Sequence, residues 1–259
     1  MQETPSSKAA REQFGRQAGF YAQSIAHRHG EGLELLTEYA ALGRYRRAVD
    51  LGTGPGFTAF IMSPYSEYVV ATDIAPQMLS QAKRLAAERG IANVGQMMVE
   101  AESLPFASDS LDLVTSRQAA HHFYDLARAV KEAWRVLKPG APLILTDPAA
   151  PEDDSLTAWM NDIEVRRDPT HQRDRKVSEW RKLLEEVGFQ MTHAAMAKVH
   201  LEFNDWVRRA GTREAEVEPL RRDFLSASDS VKAAFGIHSE GEDIRFHWEV
   251  LVFRAVKQL

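Results

Sequence analysis

Three glycines at alternate positions, Gly52, Gly54 and Gly56, follow the apolar run Ala48-Val49-Asp50-Leu51 and precede Phe57-Thr58-Ala59. A β-prone run, a glycine turn and a helix start describe a strand, a loop of exposed backbone and a helix N-terminus. Glycine leaves no Cβ to hold a ligand away, and the first turn of a helix offers unsatisfied N–H groups to an anionic or polar partner. Asp73 stands 21 residues beyond Gly52, at the end of the next β-prone run, Val69 to Thr72. A carboxylate there can accept both ribose hydroxyls of an adenosine, which NAD and S-adenosylmethionine both carry. A second group of chemically capable residues is Ser116-Arg117-Gln118-Ala119-Ala120-His121-His122-Phe123. Imidazole titrates near neutrality, so either histidine could deprotonate an acceptor, and His122 is the preferred catalytic candidate.

These residues need a scaffold, and the pattern of apolar residues supplies one. Arg11 to Leu42 is helix-prone, with Phe14, Ala18, Tyr21 and Ile25 at helical spacings, and His29-Gly30-Glu31-Gly32 divides it. Strands are predicted at 47–51, 69–72, 94–99, 111–116 and 142–146. Between them, Pro76 suits a first helical position, Gly90 a stop, and Asp125 an N-cap before the stripe Leu126, Val130, Ala133, Trp134 and Leu137. Strands alternating with helices at this spacing make a mostly parallel sheet covered on both faces, whose ligands sit beyond the carboxyl ends of the strands, between the first and fourth. Asp147 to Ser178 is polar and proline-bearing, as an insertion or cap would be. Trp180 to Val187 returns to helical spacing, Gln190 to Phe203 is extended, and Ile244 to Val256 alternates as a closing strand does.

Composition narrows the class. The chain has 259 residues, 32 basic against 37 acidic for a net charge of −5, and no cysteine. A net negative charge offers no general field for nucleic acid, and zero cysteines remove disulfides, thiolate metal sites and a Cys nucleophile. No metal-ligand cluster stands out. No stretch approaches the roughly 20 apolar residues of a membrane span, and the polar N-terminus lacks an apolar targeting segment. The expectation is a cytoplasmic protein with no membrane or nucleic-acid partner; oligomeric state is left open.

Five ordered motifs, Val49 to Gly56, Ala71 to Leu79, Glu100 to Phe106, Ser116 to Phe123 and Val136 to Gly140, together resemble the class I S-adenosylmethionine-dependent methyltransferases, in particular their UbiE/YcgJ-like small-molecule branch. The likeness is close over residues 48 to 147 and loose outside them. It implies an α/β, Rossmann-like, doubly wound, mostly parallel seven-stranded sheet with an antiparallel last strand, plus N-terminal helices and an inserted cap. The corresponding division is 1–44 helical, 45–148 cofactor-binding core, 149–178 cap, and 179–259 completing the sheet with a helical insertion near 204–236.

The resemblance also implies roles. S-adenosylmethionine would be the cofactor, leaving as S-adenosylhomocysteine. Gly52, Thr53, Gly54 and Gly56 would approach its methionine and ribose portions, Asp50 would orient the amino group, and Asp73 would hold the ribose diol. Ile74 and Met78 would pack on the adenine, while Glu100, with Glu102 beside it and the Ala101 backbone, would read its edge. Glu100 stands where the family usually has Asp. Arg117 and Gln118 map to further cofactor-facing positions. Arg166 to Arg173 is similar to a segment that caps the acceptor site in this branch, so Arg167, His171 and Arg173 are candidates to bind an acidic or phenolate-like acceptor. His121 stands beside them, and the N-terminal helix, with Phe14, Tyr21 and His27, is the opposite wall.

Methyl transfer asks mainly for alignment, which can supply roughly 7–11 kcal/mol against a 10²–10⁴-fold effect of a general base. Three other readings stand beside it. A nucleic-acid methyltransferase acting on exocyclic amines would place an Asn/Asp-Pro-Pro-aromatic motif where this chain has Ser116-Arg117-Gln118. A dehydrogenase would have no use for Glu100 or for Leu104-Pro105-Phe106. A protein that keeps the cofactor pocket but has lost methyl transfer, as a binding subunit or in other sulfonium-assisted chemistry, would share every motif above.

Overall fold

The computed structural model describes residues 5–23 and 30–258, so Ile25, His27 and His29 lie outside the described residues. Two helices, α1 (Pro5–Gln23) and α2 (Glu31–Ala41), precede the alternating core. The core runs β1 (Tyr45–Leu51), α3 (Phe57–Met62), β2 (Ser66–Asp73), α4 (Pro76–Glu88), β3 (Val94–Met98), β4 (Leu113–Arg117), α5 (Leu126–Val136) and β5 (Pro142–Ala150). Then come α6 (Asp154–Arg167), β6 (Arg175–Lys176), α7 (Val177–Val187) and β7 (Phe189–Glu202). The chain closes with α8 (Phe203–Ala210), α9 (Glu214–Leu225), α10 (Asp229–Phe235), β8 (His238–Glu240) and β9 (Asp243–Lys257).

Local chemistry accounts for the boundaries. Pro76 occupies the first turn of α4, where its missing N–H costs nothing. The carboxylates of Asp125 and Asp153 accept the first free N–H groups of α5 and α6. The central strands β1, β4 and β5 are buried along most of their length on both faces, as a sheet with helices on each side requires.

The sheet follows the order β3-β2-β1-β4-β5-β9-β7. These are the seven expected strands, with short β6 and β8 added alongside β5 and β9. Strands β1 to β5 pair in parallel, and β9 runs antiparallel to both β5 and β7. One apolar cluster packs α5 and α7 on one face through Val130, Leu137, Trp180 and Phe253; another packs α2 and α3 on the other through Leu36, Phe60, Leu113 and Ile144. An aromatic cluster including Phe203, Trp206, Phe224 and Trp248 joins α6, α8, α9 and α10 to the far end of β9. None of the described helices is long and apolar enough to cross a membrane.

One departure from the sequence reading shapes the site. Strand β5 does not stop at Thr146: its pairing with β4 ends at Arg117↔Thr146, but β9 carries it on through Pro148↔Val250. The two strands part company there, and the gap opens at the carboxyl end of the sheet.

Candidate active site

The glycine loop leaves β1 and turns back under its own hydrogen bonds. Gly52 and Gly54 have φ of +61° and +52°, a left-handed backbone that side chains resist. A Cβ on Gly52 would meet the Ala119 methyl at 2.5 Å, while one on Gly54 would stand in open space. The carboxylate of Asp73 fixes this shape from β2, one oxygen accepting from the Gly54 amide at 2.8 Å and the other from the Ala75 amide at 2.9 Å. The same side chain thus ties the loop to the start of α4.

Around the loop is a cavity of about 960 Å³, counting its mouth. Gly52, Thr53 and Gly54 form one wall, with Asp73 and Ile74 at the end of β2 and Met78 on α4. Glu100, Ala101 and Glu102 approach from the loop after β3, and Arg117 and Gln118 from the end of β4. Helix α1 closes the cavity with Phe14 and Tyr21, anchored by Ala18 against Ala75 and Met78. Two of the expected cofactor residues are not on the wall. Asp50 is fully buried behind the loop, where one carboxylate oxygen accepts from the Thr115 hydroxyl at 2.7 Å. Gly56 starts α3 and faces Phe60 and Ala82.

Burial sets the electrostatics. It raises the carboxyls of Asp50 and Asp73 to about 6, against the hydrogen bonds that favour their ionised forms. It also raises Glu102 and lowers the Arg117 guanidinium to about 10, still cationic at neutral pH. Arg117 Nε donates to the Thr58 hydroxyl at 3.1 Å, so the guanidinium is held at the rim of β4. The Thr53 and Thr115 hydroxyls both act on the buried Asp50 carboxyl and favour its ionised form. An open glycine cradle and the buried Asp73 carboxylate at the end of β2 suit the methionine and ribose portions of S-adenosylmethionine.

A second cavity, about 1570 Å³ with its mouth, adjoins the first and shares Tyr21, Arg117, Gln118 and His122 with it. It occupies the gap where β5 leaves β4, with Thr146 and Pro148 on its wall. Gln118 has an unusual φ of +55°, and its backbone N–H donates to the Thr146 carbonyl at 2.7 Å.

Three imidazoles meet at the junction. His121 and His122 have ring centroids 4.2 Å apart, and His171 lies 5.3 and 6.0 Å from them. Each has an aspartate behind it. His121 Nδ1 is 2.9 Å from Asp147, His171 Nε2 is 3.7 Å from Asp174, and His122 reaches Asp168 through the Thr170 hydroxyl. Burial disfavours an imidazolium, but Asp147 outweighs it and lifts His121 to about 9. Burial and the charge on His121 push His122 down to about 3 and lower His171 as well, so both are neutral. No group of three or more His, Asp or Glu is placed to hold a metal ion among the described residues.

Helix α6 brings Arg167 to this cavity, where its guanidinium bonds Glu164 at 3.1 Å and lies over the Trp206 ring. Glu164 also accepts from Trp248 Nε1 at 2.5 Å. Arg173, by contrast, is off the wall and paired with Glu179. Sequence reasoning missed Asp147, Glu164, Asp174 and Arg209. The spacing of Glu164 and Arg167, three apart on one helix face, was a usable signal for one of them.

Residues 49–145 match the family described as a methyltransferase domain. The chain is 33% identical over 249 residues to the uncharacterized methyltransferase YcgJ of Bacillus subtilis, spanning 95% of this chain and 98% of that one. It is 36% identical over 173 residues to the uncharacterized protein YafE of Escherichia coli, spanning 67% and 84%. The crystal structure of Bacillus subtilis YcgJ superposes with a TM-score of 0.83, covering 89% of this chain and all of that one at 32% identity.

Proposed function

We propose, since this chain belongs to the S-adenosylmethionine-dependent methyltransferases that include YcgJ, that its methyl acceptor is a small molecule bound in the second cavity and methylated by in-line displacement. The observation that carries this reading is the shared wall: Tyr21, Arg117, Gln118 and His122 border both cavities, so a donor in one meets an acceptor in the other. The cofactor when bound supplies an electrophilic methyl group on a sulfonium.

The chain supplies position and a dry setting. Asp73 receives the ribose diol, the Gly52–Gly54 backbone admits the methionine portion, Ile74 and Met78 flank the adenine, and Glu100, Ala101 and Glu102 face its edge. Asp50 and Gly56 act from behind the loop, by holding its shape. Helix α1 shuts the cavity with Phe14 and Tyr21 and keeps water from the transfer line. Residues 149–178 serve as the cap, with Arg167 and His171 facing the acceptor. His122, neutral and at the junction, accepts a hydrogen bond from the acceptor, while positively charged His121 holds negative charge nearby. Positioning contributes most of the acceleration, because a base as weak as His122 holds a proton only transiently.

The experiment is methyl-labelled S-adenosylmethionine incubated with the protein and a cell extract, then separated by size. Label in the small-molecule fraction supports the reading, and label in protein or nucleic acid overturns it. Tight binding of S-adenosylhomocysteine with no label anywhere favours a protein that keeps the cofactor without transferring methyl.

A further inference from the structure

The wall of the second cavity is unevenly charged. Arg117, Arg167, Arg209 and Lys198 bring positive charge to it, and beside them His121 is protonated in a pair with the Asp147 carboxylate at 2.9 Å. Against them stand Glu31, Glu164 and Asp174. Glu164 is occupied by Trp248 and Arg167, and Glu31 by the amide of Lys198 at 3.3 Å. The acids that pair with Arg209 and Lys198, Asp205 and Glu249, lie outside the wall. Arg209 is largely buried, its Nε paired with Asp205 at 2.6 Å.

Asp174 is the odd member. It has no exposure, and Asn161 grips its backbone at 2.8 and 3.2 Å, yet neither carboxyl oxygen has a hydrogen-bond partner. His171 Nε2, 3.7 Å away, is equally unpartnered. Buried polar atoms without partners are rare because each forfeits a hydrogen bond made in the unfolded chain. Burial holds the Asp174 carboxyl well above the usual carboxylate range, with Glu164 and Asp147 adding to it and His121 and Arg167 opposing. At neutral pH it is an acid that can donate its proton in a hydrogen bond. Beside these polar groups the cavity is also lined by Trp206, Trp248, Leu201 and Val250.

We propose that the second cavity selects an oxyanion on an apolar body, a carboxylate, phenolate or enolate held among Arg167, Arg209 and His121 with Asp174 donating to it, and the body against Trp206 and Trp248. This rests on the reading that the cavity is the acceptor site and names its chemical class. An ammonium ligand would face the larger share of the charge with the wrong sign; the oxyanion matches both the cations and the unpartnered acid.

The test is calorimetric titration of the full chain, saturated with S-adenosylhomocysteine, with three probes of equal size: naphthoate, naphthalenemethanol and naphthylmethylamine. Naphthoate is expected to bind at least about tenfold more tightly than either. Arg209→Met should weaken naphthoate by roughly tenfold and leave S-adenosylhomocysteine unchanged. Asp174→Asn, which still donates but never ionises, should keep naphthoate within a few-fold of wild type, and Asp174→Ala should not. Preference for the amine, equal binding of all three, binding of none, or loss of naphthoate in Asp174→Asn would each overturn the proposal. Should S-adenosylhomocysteine itself fail to bind, the donor reading falls, and the probe ranking on the free protein still decides the acceptor class.

Discussion

Asp73→Asn separates the loop contacts that one carboxylate makes from the ribose contact proposed for it. Each oxygen already accepts one backbone N–H, from Gly54 or Ala75, and each has room for one ribose hydroxyl. Asparagine replaces one oxygen with an NH₂ that must face one of those N–H groups, so one loop bond and one ligand bond are lost together. A hydrogen bond to a charged group contributes about 1.5–3 kcal/mol. At 1.4 kcal/mol per factor of ten, S-adenosylhomocysteine should bind roughly 10- to 150-fold more weakly, and the fold should lose a similar amount of stability. Acidity gives an independent check. Burial raises the Asp73 carboxyl from 3.8 to about 6. The folded state therefore holds this proton to higher pH than the unfolded chain, and the contribution of Asp73 to stability without ligand falls as pH rises from about 4 through about 6. Affinity runs the other way, since the ionised form accepts the diol: it should drop as pH falls below about 6, by at most about tenfold per unit for this group. Asp50 titrates in the same range, so the Asn variant should show a shallower fall, not a flat line. Calorimetric titration from about pH 5 to 8 reads both effects. Binding by Asp73→Asn within about twofold of wild type, or wild-type affinity unchanged across that range, would refute the assignment of Asp73.

Other expected outcomes test neighbouring parts of the argument. Gly52→Ala forces an alanine into a left-handed backbone against Ala119 and should cost several kcal/mol, lowering the melting temperature by about 2–4 °C for each; Gly54→Ala, with open space around it, should lose only about 1–2 kcal/mol but bind S-adenosylhomocysteine poorly. Asp147→Asn should lower the His121 titration, followed by NMR, well below about 9, because burial is then opposed only by the weaker influence of Asp174 and Glu164. Since the wild-type value is raised, the stability that the pair contributes is complete below 6.5 and disappears as pH rises through about 9, so thermal melts should decline over that window in wild type and not in the variant. Trp248→Phe leaves Glu164 Oε1 without its donor and should cost about 1–3 kcal/mol in chemical denaturation, with affinity for S-adenosylhomocysteine unaltered.

The first half of the fold was legible because its strands are apolar runs punctuated by glycine and proline, and each such signal acts within a few residues. The start of β4 was placed two residues early, since Asp112 looks strand-compatible but turns to receive the Arg47 amide and the Lys138 ammonium. Helix α6 was missed within the polar segment: Glu164 and Asn161 point inward to tertiary partners, which blurs the apolar stripe that marks a helix. The donor cavity was readable for a related reason, its residues lying at fixed offsets along neighbouring strand ends. The second cavity draws on residues as far apart as Tyr21, Asp174, Arg209 and Trp248, and their meeting depends on packing that leaves no periodic trace.

The position of β9 has a consequence for the order in which the two cavities come into being. Residues 243–257 are the last strand to be synthesised, yet they lie between β5 and β7 and carry Trp248 and Val250 of the second cavity. The loop, Asp73 and the end of β4 precede them by more than a hundred residues on the nascent chain. On the ribosome, the strands around the first cavity are therefore made while the second still lacks its central seam, and β7 waits for β9, its neighbour in the sheet. A chain ending between β7 and residue 243 would keep every residue that lines the first cavity and lack Trp248 and Val250 of the second.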